Sequence, residues 1–399
     1  MSTYWRDCCL GELLRIKHGF AFKGEYFSDS GDFVLLTPGN FQPDGGLKLK
    51  GEKERYYDGA FPPDFLLEPG DMLVAMTDLT QEARILGSPA VIPGGAQFLH
   101  NQRLGKVVIA NPEILDRLFL YHLFNDYRVR EQIKASATGA TVRHTAPDRI
   151  YTVKVRLPSF PDQRRIASIL SAYDDLIENN ARRIAILEEM ARRIYEEWFV
   201  RFRFPGHEGV RMVESELGLA PATWRACLLG DETELAYGKA LKAEDREAGL
   251  VPVYGSSGVV GTHSKSLVAG PGVIVGRKGN VGSVHWCEEP FFPIDTVFYV
   301  KTGLPLHFAY FNLQRQNFLN NDAAVPGLNR NQAYALPLLV PDRILLVKFE
   351  DLCGQVLGLA RLLGRKNTNL RTTRDLLLPK LISGELDVSD LPEPQAAAA

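Results

Sequence analysis

Through one long stretch of the chain, apolar residues return at alternating steps of four and three. They are Ile166, Leu170, Tyr173, Ile177, Asn180, Ile184, Leu187, Ala191, Ile194 and Trp198, with Asn180 alone polar. A seam this narrow predicts a helix packed along its length on another helix rather than docked on a broad core. No proline or glycine falls between Gln163 and Phe204. Asp162 stands where a capping residue is expected, and Pro205-Gly206 ends the pattern. At 1.5 Å rise per residue, Ile166 to Trp198 predicts a rod of roughly 50 Å. Residues 162–203 carry 8 acidic and 8 basic side chains, as solvated faces should. A lone seam asparagine can fix register, and Asn180 fits a solvated seam end or a capping role equally well.

The pattern returns further on. Adding 183 to Ile166, Tyr173, Leu187 and Ile194 lands on Phe349, Val356, Leu370 and Leu377, all apolar. Asn180 maps to Leu363, with Asn367 one turn beyond. The alternate seam positions are either Leu352 and Leu359 or Cys353 and Ala360, and periodicity does not choose. Gly354, Gly358 and Gly364 each weaken a helix by roughly 1 kcal/mol relative to alanine. That cost is easiest to bear if this second rod lies along the first.

The segments before each rod are also alike. Leu10-Gly11-Glu12 and Gly19 to Lys23 match Leu229-Gly230-Asp231 and Gly238 to Lys242 at an offset of 219. Ile150 to Val153 matches Ala333 to Leu336 at 183, so the second copy is 36 residues shorter. Buried strands are expected at 71–76, 272–276, 281–286 and 298–300, and helices over 114–134 and 306–319. Glycines between Gly255 and Gly261 suit hairpin turns. The expected fold is α+β: two similar mixed α/β domains joined by two long antiparallel helices, a coiled-coil spacer with an internal pseudo-twofold repeat. The boundaries fall at 1–158, 159–205, 206–341 and 342–390, with a tail at 391–399.

Composition narrows the class. The 399 residues are 45% apolar and 24% charged, which excludes a disordered chain. No run of about 18 apolar residues predicts a membrane span, and the start of the chain lacks a signal-peptide core. Five cysteines form no C-x-x-C pair, so reduced thiols in a cytoplasmic protein are expected rather than a disulfide scaffold or zinc cage. Neither 276–282 nor 255–261 has phosphate-loop or dinucleotide spacing, and no H-E-x-x-H occurs. Asn111-Pro112 continues to Glu113, so the N-P-P-[YF] element of amino-methyltransferases is missing. Pro63-Asp64 is not followed by a nuclease core. The expectation is a chain without catalysis or metal of its own.

The net charge of −2 conceals segregation. Residues 127–156 hold 7 basic residues against 2 acidic, and 361–380 hold 6 against 1. Those two segments carry +5 each, so the remainder carries −12. From Gly255 to Cys287 there is no acidic residue. Basic and amide side chains sit beside glycines in the loop 137–144, with Thr141, Arg143 and His144. In the second half, Arg277, Lys278 and Asn280 form one candidate loop, and Asn329, Arg330 and Asn331 a rival one. Arginine, asparagine and glutamine pair bidentately with guanine and adenine edges, while lysines and main-chain amides hold phosphates. Lys23 is a further candidate for double-stranded DNA.

Leu157-Pro158-Ser159-Phe160-Pro161-Asp162-Gln163-Arg164-Arg165-Ile166 opens the first rod, and Leu187 to Phe199 (LEEMARRIYEEWF) closes it. Together they resemble the central conserved region of specificity (S) subunits of type I restriction–modification systems. Arg374 to Leu386 (RDLLLPKLISGEL) resembles that family's C-terminal conserved region. Gly70 to Val74 and the Thr138–His144 loop resemble signatures of its target-recognition domains. The resemblance covers nearly the whole chain. It implies two target-recognition domains, each reading half of a split, asymmetric DNA target, and a non-catalytic subunit of a methyltransferase and endonuclease complex. S-adenosylmethionine, ATP and Mg are then expected on the modification and restriction subunits. The second domain departs from the pattern, since Ala324 to Arg330 replaces the T-G-x-T-x-x-H-like loop. The rival expectation is a coiled-coil scaffold that recruits partners without reading DNA.

Overall fold

The computed structural model describes residues 5–318 and 327–394. The chain forms two units: residues 1–179 with 367–399, and residues 180–366. The boundary falls inside both long helices, so each unit owns part of each rod.

In the first unit, Arg6–Cys9 pairs antiparallel with Lys154–Leu157, tying together strands nearly 150 residues apart. A four-stranded antiparallel sheet follows, ordered Leu14–His18, Leu104–Ile109, Met72–Ala75 and Pro89–Val91. A second sheet of five short strands (27–28, 56–57, 33–35, 97–99, 66–67) completes the strand layer. The other unit repeats the frame. Arg225–Leu228 pairs with Pro337–Val340, and its four-stranded sheet runs Thr233–Tyr237, Val297–Thr302, Gly272–Gly276, Val284–Cys287. Its second sheet has three strands instead of five: 258–263, 251–255 and 292–293. The hairpin expected at 255–261 forms, turning between Gly255 and Gly258.

One interaction explains the repeated L-G-[ED] motif. Tyr151 Oη accepts from the backbone N of Ile16 at 2.8 Å, and Tyr334 Oη accepts from Leu235 N at 2.9 Å. A Cβ on Gly11 or on Gly230 would stand 2.7 Å from the Cβ of the respective tyrosine. Only glycine lets the short helix pass that close.

The helix expected over 114–134 is two helices, Arg117–Asn125 and Tyr127–Ala135. Asp126 breaks it with extended dihedrals, and its carboxylate accepts from Arg128 N at 2.9 Å. Asp116 caps the first in the same way, accepting from Phe119 N. An aspartate inside an apolar pattern starts a new helix when its side chain caps more favourably than its backbone continues. The second unit's helix covers Leu306–Arg315. Leu319, Ala324, Val325, Pro326 and the tail from 395 lie outside the described residues.

The first rod is a helix over Phe160–Tyr195, continued by a π-helical turn over Glu196–Val200. Its cap is Ser159, not Asp162. Asp162 N donates to Ser159 Oγ at 3.3 Å, and the hydroxyl in turn donates to Asp162 Oδ2 at 2.7 Å. The second rod covers Arg343–Ser383, capped by Asp342, which accepts from Leu345 N at 3.0 Å.

In the first unit, Ile166, Ala167 and Leu170 share a core with Leu381 and Ile382 and with the strand layer. Arg374 reaches Asp174 at 2.5 Å, and Asn367 Nδ2 donates to Ile177 O at 3.0 Å, so the helices run antiparallel. In the second unit, Ala191, Tyr195 and Phe199 join Leu345, Leu346, Phe349 and Cys353, with Ile194, Trp198 and Val356 at the edge. Ile166, Leu170, Ile177, Asn180, Phe349 and Leu363 are buried. Tyr173, Ile184, Leu187, Leu370 and Leu377 are half-buried. Cys353 and Ala360 face inward while Leu359 is exposed, which settles the open alternative. Among the described residues, no helix is long and apolar enough to cross a membrane.

Candidate nucleic-acid interface

In the first unit the fully buried strand Met72–Ala75 runs on to Thr77-Asp78, which are buried as well. There Arg143 pairs with Asp78 and His144 with Thr77, antiparallel. Thr138 and His144 exchange backbone hydrogen bonds of 2.9 and 2.8 Å, closing the loop between them. Gly139, at φ +96°, makes that turn, where a Cβ would meet Val142 O at 1.9 Å. Thr141 and His144 are exposed and Arg143 is half-buried. His144 Nδ1 lies 2.9 Å from Thr77 Oγ1. Arg143 Nη2 donates to Lys134 O at 3.1 Å, while its Nε is buried without a partner. The Asp78 carboxylate is occupied elsewhere, accepting from Thr80 N, Thr80 Oγ1 and Ile85 N at 2.8 Å each. Arg143 therefore keeps its charge.

The second unit builds its counterpart differently. The strand Gly272–Gly276 runs out to Arg277-Lys278, and Lys278 forms a backbone bridge to Gly327. Leu328 N donates to Arg277 O at 2.8 Å. The two loops that looked like rivals are thus one site. Tyr237, Arg277, Lys278, Asn329, Arg330 and Asn331 line a cleft of about 450 Å³, with no carboxylate among its described walls. Arg277 lies 4.9 Å from the Tyr237 ring centroid and Arg330 5.1 Å from it. Arg277 Nη1 also donates to Asp295 O at 3.0 Å. Asn329 Oδ1 caps the helix Arg330–Tyr334, accepting from Asn331 N at 2.9 Å, so that oxygen is committed. Asn280 is exposed, and its N donates to Ser256 Oγ at the hairpin tip, 3.3 Å away.

Lys23 is not brought to the Arg143 loop by any described contact. It precedes the short turn Gly24–Tyr26, with its ammonium 3.9 Å from Glu25. Lys242 does the same beside Glu244, again at 3.9 Å.

Much of the basic excess is spent inside the fold. The buried guanidinium of Arg130 donates to the carbonyls of Leu86, Pro43 and Arg84, and burial pulls its pKa down to about 10. Arg128 binds Asp126 and Pro379 O, and Arg149 binds Ser136 O and Thr138 Oγ1. On the second rod, Arg361 pairs with Glu288, Arg365 with Glu289 and Arg374 with Asp174. The +5 of each segment overstates what a ligand meets. Tyr237 is a wall of the second unit's cleft that sequence reasoning missed. The offset of 219 was a signal, since it places Tyr237 over His18 at the same strand end. No cluster of metal-ligating side chains occurs among the described residues.

Comparison with known proteins adds to this geometry. The family profile for the type I restriction modification DNA specificity domain matches residues 3–189. The chain is 25% identical over 308 residues to the type I restriction enzyme MjaIX specificity subunit of Methanocaldococcus jannaschii, covering 68% of this chain and 70% of that one. It is 24% identical over 189 residues to the EcoBI specificity subunit of Escherichia coli, 47% of this chain and 36% of that one. The crystal structure of the S subunit of a type I restriction–modification system from M. genitalium superimposes with a TM-score of 0.60 at 18% identity. It covers 96% of both chains and shows a shared fold.

Proposed function

Because the chain belongs to the family of type I restriction–modification specificity subunits, we propose that each of its two globular units reads half of a split, asymmetric DNA target. In this reading residues 1–158 and 206–341 are the readers, and 159–205 with 342–390 form the spacer. The chain directs methyltransferase and restriction subunits to the site. S-adenosylmethionine, ATP and Mg belong to those partners, and this chain's residues recognise rather than react.

One observation carries the proposal. Both units place basic side chains at the same point of the repeated frame, beyond the end of the buried strand and before a short helix. Neither Arg143 nor Arg277 has an ion-pair partner among the described residues, so both retain charge and donors for guanine edges or phosphates. In this reading the paired rods set the gap between the two half-sites in the DNA, as a dimer's spacing does.

The test is selection from a random duplex library by the full chain co-produced with its modification subunits. A two-part motif with a fixed gap is expected, and matched heptad insertions in both rods should lengthen that gap. Binding without half-site preference would instead favour the scaffold, and an unchanged gap would end the ruler idea.

A further inference from the structure

We propose that Tyr237 is a specificity-determining positioning residue, which holds Arg277 and Arg330 as a paired guanine-reading fork in the second unit. The inference rests on the DNA-reading function proposed above. Tyr237 ends a strand and is 49% exposed, yet two guanidiniums from segments far apart in the chain converge on its ring. Arg277 also lies 5.8 Å from Phe298, and Arg330 lies 5.8 Å from Tyr334.

Two like charges in one cleft repel, so something must offset them. A carboxylate would do so but would also occupy the N–H donors and cancel the charge. An aromatic face attracts a guanidinium through its quadrupole and leaves charge and in-plane donors for a ligand. The described walls of this cleft contain the ring and no carboxylate. Restricting two long side chains before binding also lowers the ordering cost at binding. One guanidinium pairs bidentately with the N7 and O6 edge of one guanine, so two held side by side suit two guanines. Both Arg143 and Arg277 donate to a carbonyl, that of Lys134 and that of Asp295, but among the described residues only Arg277 also lies over a ring.

The test uses the full chain with its modification subunits and selection from a random duplex library. Tyr237→Ala should lower the preference for guanine in the second half-site roughly tenfold. The first half-site, the melting temperature and the salt slope of binding should stay unchanged, because both charges remain. Tyr237→Phe should behave as the parent, and Arg277→Ala should lose the second half-site preference. If Arg277→Ala loses it while Tyr237→Ala keeps it, the positioning role is wrong and the DNA reading stands. If neither variant alters it, the DNA reading of this unit fails. Equal losses in Tyr237→Ala and Tyr237→Phe, uniform loss on all duplexes, or loss at both half-sites with a lower melting temperature would each overturn the proposal.

Discussion

The two globular units share a frame and differ in what stands at its rim. In both, a strand pair closes the domain, a glycine lets a helix pass a tyrosine, and that tyrosine's hydroxyl binds a strand backbone. At the rim, the first unit carries its arginine on the incoming strand, opposite Thr77-Asp78. The second carries Arg277 and Lys278 on the outgoing strand and Arg330 on the following helix. Frame positions are pinned by close packing, so they recur in both units, at an offset of 219 before the readers and 183 after them. A reader needs only to be near the strand end, so its charge can move between neighbouring segments.

The units also differ in how they bury polarity. Both units enclose two histidines, His100 and His122 in the first and His263 and His307 in the second, but the first alone hides a guanidinium, that of Arg130, against three carbonyls among the described residues. Arg130→Met should have the largest effect, leaving those carbonyls unpaired at a cost of roughly 3–5 kcal/mol. Urea unfolding followed by hydrogen exchange should show the loss in the first unit. Exchange lost equally in both would refute this local role.

Acid comes next. Burial pulls His100 down to about 4, and burial with the Arg374 charge pulls His122 down to about 3. An unfolded histidine titrates near 6.5, so below that pH the unfolded chain binds protons that the folded unit refuses. Stability is then complete above about 6.5 and falls toward pH 4, by roughly 2–4 kcal/mol at pH 5. Urea midpoints across this window check the sign, and His122→Gln should flatten the slope.

Smaller effects separate the readers. Arg143→Ala should relax only the first half-site and Arg277→Ala only the second, each by about 1–3 kcal/mol of discrimination in library selection. The smallest effect lies on the second rod. A Cβ on Gly354 would meet nothing within 4 Å. Gly354→Ala should therefore stabilise the chain by about 0.5–1 kcal/mol in thermal unfolding.

The rods and the repeat were legible because both rest on periodicity and offset, which a single chain displays. The break at Asp126 was not, because the capping aspartate lies within an apolar pattern that helices also tolerate. The choice of Cys353 and Ala360 over Leu352 and Leu359 needed the partner's surface. Charge misled in a specific way: counting along the chain cannot see that Arg130 faces carbonyls or that Arg365 faces Glu289. The joining of Arg277 to Arg330 was hidden for the same reason, since Lys278 meets Gly327 only through the fold.

The division inside both rods has a consequence for synthesis. The second unit is continuous in sequence, from Asn180 to Lys366. The first draws Leu381, Ile382 and Val388 into the core built by residues that precede it by more than 200 positions. On the ribosome, the later-encoded unit can therefore finish first, while the earlier one waits with an open core until residues 367–388 have been made. The usual order of domain completion is reversed. The waiting half, with its exposed strands, is where a chaperone would be needed most.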